Sequence, residues 1–321
     1  MNQACIICNN TINHKIYKVK ELQLGLQETF DYQLCGNCGS MQLLNVPEQL
    51  GKYYPNDRYY SFNLGLSTRN KPDYLRKIKA SYLLYGKNSF LGRLLSIGYK
   101  MPDYYQWMKN SHTQFNDAIL DIGTGNGNLL MKLFQIGFTN LTGIDPFINE
   151  SKKYGAIRIL KQEIFEMNGA YDLIMMHHSL EHMFEPLKVL EKAKSLITPG
   201  KHLLIRIPIM GNYGWKKYGT YWCGIDAPRH IFIPSEKGIH MLAKKTGFEI
   251  IKAEYDSTEY VIWSSEQYLK GIPLHADNSW MQNHHNSIFT KKQIKGFRKE
   301  IEKENRNNNG DTIALYLKRP K

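Results

Sequence analysis

The sequence predicts an α/β fold: a mainly parallel sheet between helices, preceded by a small ribbon held by a metal. Three observations predict it. From residue 117 onward, short apolar runs alternate with segments of helical period, as parallel sheets require. One of these runs ends in the glycine turn Gly123-Thr124-Gly125-Asn126-Gly127, and a helical stripe follows it. Four of the five cysteines form two pairs, Cys5-x2-Cys8 and Cys35-x2-Cys38.

At 321 residues the chain has room for about two domains. Its 42% hydrophobic and 22% charged residues exclude wholesale disorder and a fibrous repeat. No apolar run approaches the ~20 residues of a membrane span, and MNQACIICNN is no signal peptide, so a cytoplasmic protein is expected. The net charge of +13 divides unevenly: −1 over residues 1–50, +7 over 51–120, +1 over 121–280 and +6 over 281–321. Basic flanks around a neutral middle suit a polyanionic or phosphorylated partner, or an anionic membrane face to which the chain is peripheral. Solubility alone is the plain alternative.

Residues 1–50 read as a zinc ribbon. Without a secretion signal the paired spacing points to metal rather than disulfide: each turn aims two thiolates at one spot, and Cys5, Cys8, Cys35 and Cys38 close a structural tetrahedral Zn2+ site. Strand-like pieces, Ile16–Val19 and Phe30–Tyr32, lie between the turns. Cys223 stands apart as an ordinary buried thiol. Residues 51–114 combine a tyrosine-rich linker (Tyr53, Tyr54, Tyr59, Tyr60) with a basic helical segment at 73–109. That segment is expected to pack on the main domain; a helix lying on a membrane surface is the minority reading.

Residues 115–321 carry the sheet. Ala118–Ile122 is the first strand and runs into the glycine turn; Leu141–Asp145 is the second. Asp145 stands where an acid can accept both ribose hydroxyls of an adenosine. A nicotinamide enzyme would also fit, but Asp121, two residues before the first glycine, would repel a pyrophosphate and welcomes an ammonium and a sulfonium. Ile157–Leu160 is the third strand, and the fourth ends at His177-His178. A helix over Met183–Leu196, interrupted early by Pro186, stops at Pro199-Gly200. His202–Ile207 is the fifth strand, Ser235–Lys245 a helix, Phe248–Glu254 the sixth strand and Thr312–Leu317 the seventh. A substrate loop, 208–234, and an insertion, 257–310, complete the domain.

Asp121-Ile-Gly-Thr-Gly-Asn-Gly127, Gly143-Ile-Asp145-Pro and Tyr171-Asp-Leu-Ile-Met-Met-His-His-Ser-Leu-Glu-His182 together resemble the class I S-adenosylmethionine-dependent methyltransferases over residues 115–255 and the last strand. The resemblance implies a seven-stranded Rossmann-like sheet with an antiparallel last strand, and S-adenosyl-L-methionine as cofactor. It places Gly123, Thr124, Gly125 and Gly127 around the methionine part, Asp121 at the loop and amino group, and Asp145 on the ribose. Glu163 is implied near the adenine edge and His177 near the methyl group.

Loop 208–234 holds Tyr213, Trp215, Tyr218, Tyr221 and Trp222, then Asp226-Ala-Pro-Arg229-His230. Aromatics with one arginine and one histidine suit a sugar or another polar ring. Tyr213, Trp222 and Arg229 are the expected substrate contacts; a packed shield over the cofactor is the alternative. Histidine has the pKa range to take a proton from a hydroxyl, with His230 the first choice of base and His178 the second. A zinc ribbon before this core and the Asp-x-Pro-Arg-His loop resemble methyltransferases of surface-polysaccharide and deoxysugar pathways. That implies a sugar, nucleotide-sugar or lipid-linked glycan acceptor. The sugar C-methyltransferases have Glu-His where this chain has Arg229-His230, which favours oxygen as acceptor. A zinc-ribbon RNA methyltransferase is a rival, opposed by the ribbon's net −1 charge. A non-catalytic binding protein of the same fold is the other.

Overall fold

The computed structural model of the chain describes residues 3–54, 72–87 and 89–321, so Tyr59 and Tyr60 of the expected linker lie outside the described residues. The ribbon begins as a hairpin of Lys15–Lys20 (β1) and Thr29–Leu34 (β2), joined by Met41–Leu43 (β3). The basic segment is helical, as three helices: Tyr74–Tyr85 (α1), Ser89–Ser96 (α2) and Asp103–Asn110 (α3). Asp73 caps α1 by accepting from the Arg76 amide at 3.1 Å, and Gly86 ends it with φ 69°. Helices α1 and α3 bury Ala80, Leu84, Tyr105 and Met108 against the sheet. Helix α2 does not follow them: Phe90 is 86% exposed and Ile97, just past its end, is 76% exposed.

The main sheet is built of Ile119–Ile122 (β4), Leu141–Ile144 (β5), Lys152–Tyr154 (β6), Ile157–Leu160 (β7), Tyr171–His177 (β8) and Ile197–Pro208 (β9). After the short strand Phe232–Ile233 (β10), which belongs to the ribbon, it is completed by Glu249–Tyr255 (β11) and Thr312–Lys318 (β12). The order is β11-β12-β9-β8-β4-β5-β7-β6. Strand β12 is antiparallel to both its neighbours, as expected. The sheet has eight strands instead of seven, because β6 pairs antiparallel with β7 at the edge. Its Lys-Lys-Tyr has no apolar alternation to announce it.

Alternate residues of the central strands feed two cores. Leu120, Ile122, Ile174, Met176 and Ile205 face helices Pro186–Leu196 (α5) and Glu236–Thr246 (α7). Ile119, Leu173, Met175 and Leu204 face α1, α3 and Asn128–Gln135 (α4). The helix expected from Met183 starts at Pro186, where a missing N–H costs nothing. The fifth strand starts at Ile197, five residues before the expected His202. Pro199-Gly200, expected as a helix stop, therefore lies within β9. There Gly200 has φ 81° and donates its N–H to Arg319 O at 2.9 Å.

The ribbon, the loop at 208–234 and the insertion share a third core of Val19, Tyr32, Met41, Trp222, Ile233, Ile262 and Tyr268. Ile233 and Phe232 pair with Met41 and Gln42, so β10 is the fourth strand of the ribbon sheet. The loop contains helix Tyr213–Tyr218 (α6), and the insertion folds as Tyr260–Leu269 (α8) and Lys291–Arg306 (α9).

Candidate active site

The strand order turns back between β4 and β8, which opens a crevice at the carboxyl ends of β4, β5 and β8. The glycine loop lines it. Gly123, Gly125 and Gly127 have φ of 77°, 54° and 77°, a region that side-chain-bearing residues rarely enter. A Cβ on Gly123 would come 2.5 Å from Ser179 Cβ. Thr124 donates its hydroxyl to Asp121 Oδ2 at 2.8 Å. Asp145 accepts the amides of Gly125 at 3.0 Å and Phe147 at 2.9 Å. Both acids thus hold the loop, and Asp145 retains lone pairs for a further donor. Burial, followed by repulsion from Asp145, pushes the Asp121 carboxyl up to about 7. Burial also raises Asp145, against its two amide bonds and His182. Glu163 is exposed, and its carboxylate joins Glu166 in capping a short turn of helix.

The mouth is formed by the turn after β8 and by residues 226–230. His177 packs its ring 4.4 Å from Trp107, and among the described residues neither ring nitrogen has a hydrogen-bond partner. Burial, with Arg206 nearby, holds it well below the usual imidazole range. His178 has φ 51°; its side chain is 38% exposed, and its Nδ1 lies 3.4 Å from Glu181 Oε1. His230 is buried instead. It donates from Nδ1 to Gly224 O at 2.9 Å, and burial beside His182 lowers it to about 4.

Arg229 and Trp222 are corrected as substrate contacts. The Arg229 side chain is fully buried; Nη2 reaches Glu21 at 3.1 Å and Asp226 at 2.6 Å, Nε reaches Asp226 at 2.9 Å, and Nη1 donates to Tyr53 O at 3.1 Å. Those bonds tie the loop to the ribbon and leave no face for a ligand. Trp222 is buried in the third core against Gly214 and Gly224. Tyr213 is half-buried and donates its hydroxyl to Glu300. Sequence reasoning passed over Glu181, His182, Asp226 and Glu21. Glu181 and His182 stand in the quoted run before α5, and Asp226 stands three residues before Arg229, a salt-bridging interval.

Residues 100–253 match the family model described as a methyltransferase domain. That stretch, just under half of the chain, is similar to a methyltransferase domain. Among curated proteins it is 58% identical over 40 residues to EEF1A lysine methyltransferase 2 of Danio rerio, covering 12% of this chain and 17% of that protein. It is 23% identical over 158 residues to the tRNA U34 carboxymethyltransferase of Campylobacter curvus (strain 525.92), covering 44% of this chain and 52% of that protein. The chain thus spans from about a sixth to about half the length of these curated relatives. Among solved structures it is similar to the cyclopropane synthase MmaA2 from Mycobacterium tuberculosis, at 14% identity and TM-score 0.45, over 78% of this chain and 99% of that one. It is also similar to a SAM-dependent methyltransferase from Archaeoglobus fulgidus, at 17% identity and TM-score 0.40, over 68% of this chain and 100% of that one.

The residues of the methyltransferase domain fit the donor S-adenosylmethionine, which supplies an activated methyl group when bound. The positive-φ glycines bring bare backbone to the crevice. Asp121 is a buried acid with no cationic side chain bonded to it among the described residues, which a cationic ligand would complement. At the ribbon, Cys5 and Cys38 Sγ lie 3.6 Å apart, Cys8 and Cys35 Sγ 3.5 Å, and all four lie within 4.8 Å of one another. Thiolates at ~2.3 Å around a tetrahedral zinc would stand about 3.8 Å apart, so this donor set fits Zn2+. The hydrogen bond from Cys5 holds the Cys38 thiol down to about 4. Ser235, the N-cap of α7, donates to Cys38 O, and Lys245 donates to Ile7 O at 2.6 Å, so the knuckles are fastened to the main domain.

Proposed function

We propose that the chain is an S-adenosylmethionine-dependent methyltransferase acting on a hydroxyl of a sugar. The sugar would be carried as a nucleotide-sugar or lipid-linked glycan in the making of surface polysaccharide. One observation carries this reading: the half-exposed His178 stands at the mouth of the cradle, 3.4 Å from a fully buried carboxylate, Glu181. A sugar hydroxyl is a poor nucleophile at neutral pH and gains from a base that takes its proton. His178 can take it at the imidazole, with Glu181 behind it to stabilise the imidazolium. His230, the first choice on sequence, is held too low and too deep for that part.

A lipid-linked carrier is supported by α2. Between Tyr74 and Pro102 the chain has six basic residues and no acid; α2 presents Phe90 and Leu94, and Ile97 follows just past its end, with Lys87, Arg93 and Lys100 near in sequence. An apolar face with basic neighbours suits an anionic bilayer surface. RNA is the second reading. It is favoured by Lys291, Lys295 and Lys299 along one face of α9, near Trp280 and His284 stacked at 4.1 Å.

The test is methyl transfer from labelled S-adenosylmethionine, offered in parallel to nucleotide-sugars, lipid-linked glycans and bulk tRNA. Label in a sugar as an alkali-stable ether is the expected result. Label in tRNA would replace this acceptor with the second reading, and label in none would favour a binding protein.

A further inference from the structure

Glu181, which stands behind His178 in the reading above, also belongs to a cluster with His182 and His230, two histidines that reading does not use. Glu181 is fully buried; among the described residues neither carboxylate oxygen is hydrogen-bonded, and His178 Nδ1 stands 3.4 Å from Oε1. One ligand atom each from Glu181, His182 and His230 lies within 4.8 Å of the other two, and His230 Nε2 is 3.9 Å from Glu181 Oε1.

Both imidazoles are fixed from behind. His230 donates from Nδ1 to Gly224 O at 2.9 Å, and His182 from Nδ1 to Arg229 O at 2.9 Å. A backbone carbonyl accepts only, so in each ring Nε2 is left with the lone pair. This is the arrangement that orients histidines as metal ligands: one nitrogen anchored on a carbonyl, the other presented. The charges agree. Glu21, Asp226 and Glu181 are three carboxylates within one buried region, and Arg229 is the guanidinium that meets the first two. Among the described residues no lysine or arginine meets Glu181, in a place where an isolated charge is costly. A divalent cation would compensate it.

We propose that Glu181, His182 and His230 form a second metal site, distinct from the four cysteines, for a divalent transition ion such as Zn2+, Mn2+ or Fe2+. Two imidazoles and one carboxylate suit such ions and leave a coordination position open. The site borders the cofactor crevice: Tyr54 stacks on Phe147, next to Asp145, at 5.9 Å and meets the His182 ring at 6.2 Å. An acceptor oxygen is the ligand class that position would take. His178 stays outside the set, at the mouth.

The test is a metal count. The full chain is equilibrated with Zn2+, freed of loose ion by gel filtration and analysed by elemental analysis. Two zinc ions per chain are expected, falling to one in Glu181→Gln, His230→Gln and His182→Gln, with circular dichroism unchanged in those that fold. His182 is only partly buried, so its variant keeps the test alive if the others misfold. One ion in the wild type, or two in a folded variant, would overturn the proposal.

Discussion

Replacing Asp121 by asparagine tests the cofactor cradle most sharply, because the structure sets both a pH profile and a stability sign. The Asp121 carboxyl is buried and ionises near 7 rather than near 3.8, mainly through desolvation. Carrying its charge in the unliganded protein therefore costs about 4 kcal/mol, to order of magnitude. A folded-state pKa raised above the unfolded value makes stability fall as pH rises from about 4 to about 7. Asp121→Asn removes that fall, so it should raise the melting temperature of the unliganded protein near pH 8 and do little near pH 4. Ligand binding should move the other way. A cationic donor favours the ionised acid, so only about a tenth of the wild-type protein is ready near pH 6 and most of it near pH 7.5. Affinity for S-adenosylmethionine should thus rise about eightfold to tenfold across that interval. The asparagine variant should bind more weakly near pH 7.5, by roughly 1.5–3 kcal/mol, with a flatter profile. Titration calorimetry at the two pH values reads all of this. Equal affinities of variant and wild type, or a flat wild-type profile, would refute the role given to the charge.

Asp145→Ala should weaken S-adenosylmethionine by about 1.5–3 kcal/mol and loosen the glycine loop, since Asp145 also holds Gly125 and Phe147; calorimetry with hydrogen exchange reads both effects. Cys35→Ser should abolish the ribbon's zinc, and its thermal melt should show a shift of the main domain as well, because β10 and α7 fasten the ribbon to it. His178→Ala should lower turnover by ~10²–10⁴-fold with donor affinity intact, whereas His230→Ala should first cost stability. Phe90→Glu with Ile97→Glu should reduce sedimentation with phosphatidylserine vesicles and leave donor binding unchanged.

What could be read from the sequence was local. Strand, glycine turn and helix fall within about 20 residues, and the acid after the next strand is a short step on, so Asp121 and Asp145 are in view before any coordinates. The cysteine pairs carry their own spacing. The role of Arg229 was not local: its partner Glu21 is 208 residues away, and only Asp226 hints that the guanidinium turns inward. The same holds for β10, whose pairing with β3 makes the ribbon and the substrate loop one sheet across some 190 residues. Glu181 lies within the run Ser-Leu-Glu-His, but an acid next to a histidine carries no orientation until the turn after β8 is built. Trp222 reads as a stacking surface in a loop; the insertion that helps bury it follows about 40 residues later, and nothing in the loop itself announces it.

The central claim is that the crevice at β4 and β5 holds S-adenosylmethionine. Calorimetric titration of the purified chain with S-adenosylmethionine, and separately with NAD, tests it most directly. One equivalent of S-adenosylmethionine with no heat from NAD is the expected result. Binding of NAD, or no binding of S-adenosylmethionine by folded protein near pH 7.5, would contradict it.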